Sequence, residues 1–286
     1  MDRGGAAGQR GGGEAACATR NGHPEGATRP KSEKTEWRLW VDDPPRPGWA
    51  NMAIDQTLLD RAEQLGESWL RLYSWEPHCL SFGRHEPASR RYDADRIAAM
   101  GLDTVRRPTG GRAVWHSREL TYAVAAPCRY FGSLQAAYLE IHRMLAGALR
   151  ELGVPASLAS RTAVPRLDAG PCFVQPAGGE VMTEGRKVVG SAQLRRGGAL
   201  LQHGSILLQD EQQLIAGLMK GAEKRSALPA PLNRELSAGE LVQAIVGAVQ
   251  VGWSGRWHGL SDSDEVLRAS SRHYPQFRSP AWTWER

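Results

Sequence analysis

The Gly197-Gly198 pair constrains this chain more than any other feature. It sits between two runs of strand-like alternation, so residues 186–208 read as one long hairpin turning at the two glycines. A turn there sets Gln193 opposite Gln202, Ser191 opposite Gly204 and Lys187 opposite Leu208. Alternation then places Lys187, Val189, Ser191 and Gln193 on one face, with Gly190 and Ala192 on the other. A glycine in mid-strand costs stability, so Gly190 marks a point where a ligand or another segment comes close to the backbone.

A second glycine-rich stretch runs Val105-Arg106-Arg107-Pro108-Thr109-Gly110-Gly111-Arg112-Ala113-Val114-Trp115-His116. Pro108 fixes its own φ and pushes Arg107 towards an extended conformation, while Gly110 and Gly111 open backbone angles closed to other residues. Such a loop presents N–H groups and guanidinium forks to a carboxylate, a phosphate or a thioester carbonyl. A tight hairpin with solvated arginines is the plainer reading of one such loop. Two glycine-rich stretches together point to a site.

With 286 residues and 41% hydrophobic content, the chain can bury a real core as one large domain or two small ones. No run approaches the roughly 18 apolar residues of a membrane span. Residues 2–36 contain no Leu, Ile, Val or Phe, so they lack the apolar core of a signal peptide, and residues 1–36 are expected to be a disordered extension. The expectation is a cytoplasmic protein whose four cysteines (Cys17, Cys79, Cys128, Cys172) are free thiols. None is spaced C-x-x-C and no histidines pair as H-x-x-x-H, so no metal site is expected. The net charge is +5 and the extension supplies only +1 of it, six basic residues against five acidic. The remainder is mildly basic, which suits an acidic protein partner or an anionic substrate. No aromatic-studded basic stripe argues for nucleic acid.

Order is expected from Trp37, with an edge strand over residues 37–41 that stops at Pro44-Pro45. A helix follows over 49–65, where Trp49, Met52, Ala53, Leu59 and Ala62 recur at helical spacing and Gly66 is the stop. Strands are expected at 69–75, 79–83, 103–107, 113–115 and 120–126, with a polar helix over 93–100. The clearest helix spans 134–152, its stripe Leu134, Tyr138, Ile141, Leu145, Leu149 and Leu152 preceded by the N-cap Ser133. Residues 161–175 read as irregular. Three helical patterns close the chain, the middle one opened by a Ser237/Glu240 capping box. Strands in hairpins with helices laid over them argue an α+β fold with mixed, mainly antiparallel sheets. No G-x-G-x-x-G or Walker loop is present.

Among the cysteines, Cys172 lies in a turn before the hairpin, where a nearby lysine ammonium would favour its thiolate. Cys128, beside Arg129, competes with it, and an inert buried thiol is the commoner role of any free cysteine. Lys187 reads either as a site residue or as a solvated lysine guarding a strand edge. His116 and His203 border the glycine-rich stretches and are candidates for proton carriers or for structural histidines. Acyl transfer fits this set without being demanded by it.

At these residues the sequence resembles the lipoate–protein ligase and octanoyltransferase family, whose catalytic domain is related to that of biotin–protein ligases. Residues 106–116 look like its acyl-binding loop, Gly185-Arg186-Lys187-Val188-Val189-Gly190-Ser191-Ala192-Gln193 like its lysine strand, and Leu201-Gln202-His203-Gly204-Ser205-Ile206 like the paired strand. Asn51-Met52-Ala53-Ile54-Asp55 and Leu70-Arg71-Leu72-Tyr73-Ser74-Trp75 match as well, while Ser117 stands where an aspartate is usual. The resemblance implies a catalytic domain over residues 37–286 that works as a monomer. It implies a cysteine-dependent octanoyltransferase, since Pro-Thr-Gly-Gly-Arg replaces the ligases' Ser-Gly-Gly-Gly and Cys172-Phe173 falls at the nucleophile's place. Cys172 and Lys187 are then catalytic. Arg106, Arg107, Gly110, Gly111, Arg112, His116, Gly190, Ser191, Gln193, His203 and Gly204 would bind substrate, with no cofactor. The implied partners are octanoyl-acyl carrier protein and a lipoyl domain, of the glycine cleavage H protein or a dehydrogenase E2 subunit. An ATP-dependent lipoate ligase, a lipoyl amidotransferase and a non-catalytic acyl-binding module remain the alternatives.

Overall fold

The computed structural model describes residues 35–160, 178–221, 230–231, 236–261 and 263–285. The chain enters through β1 (Glu36–Arg46), turns into α1 (Gly48–Leu65) and returns as β2 (Ser68–Trp75). Next come β3 (Cys79–Phe82), the short helices α2 (Ala88–Arg91) and α3 (Ala94–Ala99), β4 (Asp103–Arg106), β5 (Val114–His116) and β6 (Glu119–Pro127). The helices α4 (Cys128–Phe131) and α5 (Leu134–Glu151) lead to β7 (Ala156–Leu158), after which β8 (Val181–Thr183), β9 (Arg186–Lys187), β10 (Val189–Arg196) and β11 (Ala199–Leu207) follow. Beyond β12 (Gln209–Asp210), α6 (Leu214–Gly217) and β13 (Ala230–Pro231) lie α7 (Ala238–Gly252) and β14 (Arg256–Gly259). The helices α8 (Asp264–Ser270), α9 (Tyr274–Phe277) and α10 (Pro280–Trp284) complete the described chain.

The largest sheet has the order β10-β11-β6-β2-β1-β14, and two three-stranded sheets are ordered β4-β3-β5 and β7-β8-β9. Pairing is antiparallel from β10 through β2 and parallel from β2 through β14, which is the expected mixed, mainly antiparallel α+β arrangement. The Gly197-Gly198 hairpin has the expected register, with Gln193 opposite Gln202 and Ser191 opposite Gly204. It stops two residues short of the reading from sequence. Lys187 does not face Leu208; it belongs to β9 and pairs with Met182. The chain changes sheets at Val188, whose N–H donates to the Val181 carbonyl while its own carbonyl accepts from Leu207.

The first strand also differs, running through Pro44-Pro45 to Arg46, which pairs with Trp75 after a register shift. On its other side β14 pairs only with Glu36 to Leu39, so no ladder there demands the N–H groups that the prolines lack. Helix ends follow the sequence closely. Gly66 terminates α1 in the left-handed region, Asp93 and Ser133 cap α3 and α5, and both halves of the Ser237/Glu240 capping box are made.

Strand alternation sorts the side chains of the large sheet onto two faces. Leu70, Leu72, Tyr122, Val124, Leu200 and Ile206 belong to one apolar cluster with α5 and α7. Trp69, Tyr73, Trp75, Ala123, Ala125 and Leu201 belong to the other, with α1 and the C-terminal helices. A fully buried side chain of this size contributes about 1.5–3 kcal/mol. Among the described residues, no helix is long and apolar enough to cross a membrane.

Candidate functional site

A cavity of about 380 Å³, open at its mouth, lies where the loop of residues 107–112 meets the β10–β11 hairpin. Arg107 and Gly111 line it from the loop, Gly190 to Ala192 from β10 and His203 to Ser205 from β11. Its buried end is formed by Met52, Tyr73, Trp75, His116 and Thr121. Gly111, exposed at the mouth, has φ +92°, and a Cβ there would sit 4.0 Å from that of Ala192. A Cβ on Gly83 would come within 1.8 Å of the Gly111 carbonyl, so the end of β3 abuts the loop's own peptide.

Arg107 holds the loop in shape from inside. Its Nη1 donates to the Ser81 carbonyl and hydroxyl (2.8 and 2.6 Å), and its Nη2 to the carbonyls of Gly110 (3.1 Å) and Arg112 (2.8 Å). Arg106 turns the other way. Fully buried, it donates to the carbonyls of Gly83, Glu86, Trp282 and Thr283, tying α10 to the loop's base, and it does not line the cavity. Arg106 thus braces the base of the loop. Gly110, Arg112 and Gln193 also stand outside the lining, whereas Arg107, Gly111, His116, Gly190, Ser191, His203 and Gly204 are part of it.

Behind the loop lies a charged network that reading from sequence left without a role. His203 binds the Thr109 hydroxyl through Nε2 (2.7 Å) and Asp55 through Nδ1 (2.8 Å). Asp55 accepts in turn from Tyr73 (2.8 Å) and from Arg71 (2.9 Å), and Arg71 donates to Asp42 at 2.6 Å and to Asn51 at 2.6 Å. The Asp55 carboxylate thus fixes the His203 tautomer, with Nδ1–H towards Asp55 and Nε2 left to accept from Thr109. Burial opposes the charge on Arg71, but Asp55 and Asp42 outweigh it and hold the proton on more tightly than usual. His116 stacks on Trp75 (3.9 Å, 17°) and bonds Ser81 and Glu119 at 2.6 and 2.8 Å. Burial keeps it below the usual imidazole range against the pull of Glu119.

The opposite face of the hairpin carries neutral groups. Gln193 donates to Gln202 (2.8 Å) and Gln202 to the Tyr122 hydroxyl (2.8 Å); Tyr122 and Ser191 share a bond of 2.6 Å, and Ser191 reaches His142 on α5 at 2.8 Å. His142 then bonds the Gly179 carbonyl at 2.7 Å. Burial lowers the His142 pKa to about 4 and raises that of Tyr122 to about 12. Lys187 ends near this chain of bonds, buried, with its Nζ 2.6 Å from Glu180.

Cys172 lies outside the described residues. The structure does weigh its competitors. Cys79 is fully buried in β3, where burial pushes its thiol well up. Cys128 begins α4 beyond the far end of β6, seven residues past the cavity residue Thr121 and so roughly 20 Å along the strand at about 3.3 Å per residue. Among the described residues, no cluster of three or more His, Cys, Asp or Glu side chains could hold a metal ion.

Comparison with known proteins places this geometry in a family. The lipoyl protein ligase A/B catalytic domain matches residues 47–241. Octanoyltransferase LipM of Symbiobacterium thermophilum is 42% identical over 65% of this chain and 70% of its own length. The LipM of an Exiguobacterium species is 33% identical over 88% of this chain and 99% of its own. In fold, the chain is similar to a bi-partite lipoate protein ligase from Thermoplasma acidophilum, with TM-score 0.68 and 19% identity over 87% of this chain and 96% of that one. The chain belongs to the lipoyl protein ligase A/B catalytic domain family, as a transferase of its octanoyltransferase type.

Proposed function

We propose that this enzyme takes an octanoyl group from acyl carrier protein as a thioester on Cys172 and passes it to a lysine of a lipoyl domain. The observation that carries this reading is the cavity between the residue 107–112 loop and the hairpin, with Met52, Tyr73, Trp75, Val114 and Ala192 offering carbon surface to an acyl chain. Six buried CH₂ groups at about 0.8 kcal/mol each contribute about 5 kcal/mol before entropic losses. In the first step the Cys172 thiolate attacks the octanoyl carbonyl. A new C–S bond forms as the carrier's breaks, and the carrier leaves as its thiolate. In the second, the ε-amine of the acceptor lysine attacks the acyl-enzyme, forming the amide and returning the cysteine thiol. The Lys187 ammonium and the backbone amides near Gly110 and Gly190 stabilise the thiolate and the oxyanion. The lipoyl acceptor has support from the Thermoplasma acidophilum ligase, described together with its E2 lipoyl domain. The positive net charge of +5 suits acidic protein partners. We read residues 37–286 as the catalytic domain and residues 1–36 as an extension to it.

Mass spectrometry after mixing with octanoyl-acyl carrier protein tests the reading. We expect an octanoyl adduct that hydroxylamine removes and that Cys172→Ala abolishes, with transfer to a lipoyl domain lost in parallel. Full modification of a lipoyl domain by Cys172→Ala supplied with lipoate and ATP would replace the transferase by a ligase.

A further inference from the structure

We propose that Glu180 is a positioning residue for acyl transfer, holding the Lys187 ammonium in place. The proposal rests on the reading of Lys187 as the cation of the site. The β8–β9 hairpin turns at Glu184 and Gly185, both with positive φ, and sets Lys187 opposite Met182. Lys187 Nζ lies 2.6 Å from Glu180 Oε1, with side-chain exposures of 2% and 7%, so the pair is withdrawn from water.

The backbone around Glu180 is pinned on several sides. Gly179 donates to the Ala159 carbonyl and Ala159 to the Glu180 carbonyl, at 2.9 and 2.8 Å. His142 bonds the Gly179 carbonyl, and a Cβ at Gly179 would come within 2.7 Å of Leu139. The carboxylate is therefore delivered from a rigid segment rather than from a loose loop. Among the described residues, Lys187 is faced by Glu180 ahead of β8 and by His142 on α5, whose lowered pKa keeps it neutral. The neighbouring Arg186 turns to Asp210 at 3.0 Å.

A buried ion pair is a weak source of stability because desolvation offsets its attraction, and an apolar pair of similar volume often does as well. Its use here is chemical. One of the three N–H donors of the ammonium goes to Glu180, which fixes where the other two point.

The test compares Glu180→Gln and Glu180→Asp with the full chain, reading kcat and KM of octanoyl transfer from carrier protein with melting temperatures alongside. Glu180→Gln should lower kcat on the order of 10²-fold with KM nearly unchanged, the size of loss seen when one stabilising donor is removed. Glu180→Asp should restore at least part of the rate. If Glu180→Gln does not fold, Glu180→Asp carries the test, with a smaller loss of kcat expected. An unchanged kcat in the variant that folds, or a loss in KM alone, overturns the proposal. Lys187→Ala separates the two readings. Full activity in Lys187→Ala would sink the site reading itself, whereas an inactive Lys187→Ala beside a fully active Glu180→Gln sinks only the role of Glu180.

Discussion

On one face of the central sheet, Arg71 joins Asp42 and Asp55 in a buried charged network that reaches the site through His203 and Thr109. On the other face, Gln193, Gln202, Tyr122, Ser191 and His142 make a continuous chain of neutral hydrogen bonds. Both run under the same hairpin and both end beside residues assigned to the site. They differ in what a single deletion leaves behind. Removing a neutral partner strands a dipole, whereas removing Arg71 leaves the Asp55 carboxylate buried without its guanidinium and Asp42 with Arg46 alone. The charged side therefore loses more when one member is removed. It braces the loop where substrate would lie, while the neutral side supports the strands that lead to Lys187.

Arg71→Met gives the largest expected effect. It should cost about 3–5 kcal/mol in urea unfolding, because Asp55 stays buried without its guanidinium and Asp42 keeps only Arg46. A loss as small as that of a neutral deletion would erase the distinction between the two faces. Acid is the next lever. His142 titrates near 4 when folded and near the ordinary 6.5 when unfolded, so the unfolded chain takes up the proton first as pH falls. Stability from this group is complete above about pH 6.5 and is lost towards pH 4, up to about 3 kcal/mol. His116, also lowered, adds in the same direction, and His142→Gln should flatten part of the slope in unfolding curves taken from pH 7 to 4. Tyr122→Phe should be mildest, at about 1–2 kcal/mol for the bonds to Ser191 and Gln202, with transfer activity largely kept. A severe loss of activity in Tyr122→Phe would mean that the neutral face takes part in chemistry rather than in support.

Much of the fold is legible in local pattern. The Gly197-Gly198 turn dictates the hairpin register, Ser133 and Ser237 open their helices, and Gly66 closes α1. The glycine-rich stretches are legible as a site, and Gly111 and Gly190 both line the cavity. Partners of charged side chains are not displayed in this way. Arg106 and Arg107 are neighbours in a loop that reads as anion-binding, yet the structure spends Arg106 on carbonyls of α10. Asp55 and Arg71 carry no visible signal of their pairing, since it depends on α1 lying across β2. The alternation of Arg71, Tyr73 and Trp75 along one strand is the hint that was available, as it puts a charge on the face that α1 covers.

The sequence by itself determined the long strands, the Gly197-Gly198 turn and the helix caps, since these depend on the conformational limits of a few neighbouring residues. Only the tertiary structure decided which charges meet, Glu180 with Lys187 and Asp55 with His203 and Arg71, because those encounters follow from how elements far apart in sequence stack. Local sterics act over a few bonds and can be read in order along a chain. An ion pair buried in a core exists only once the core has closed around it.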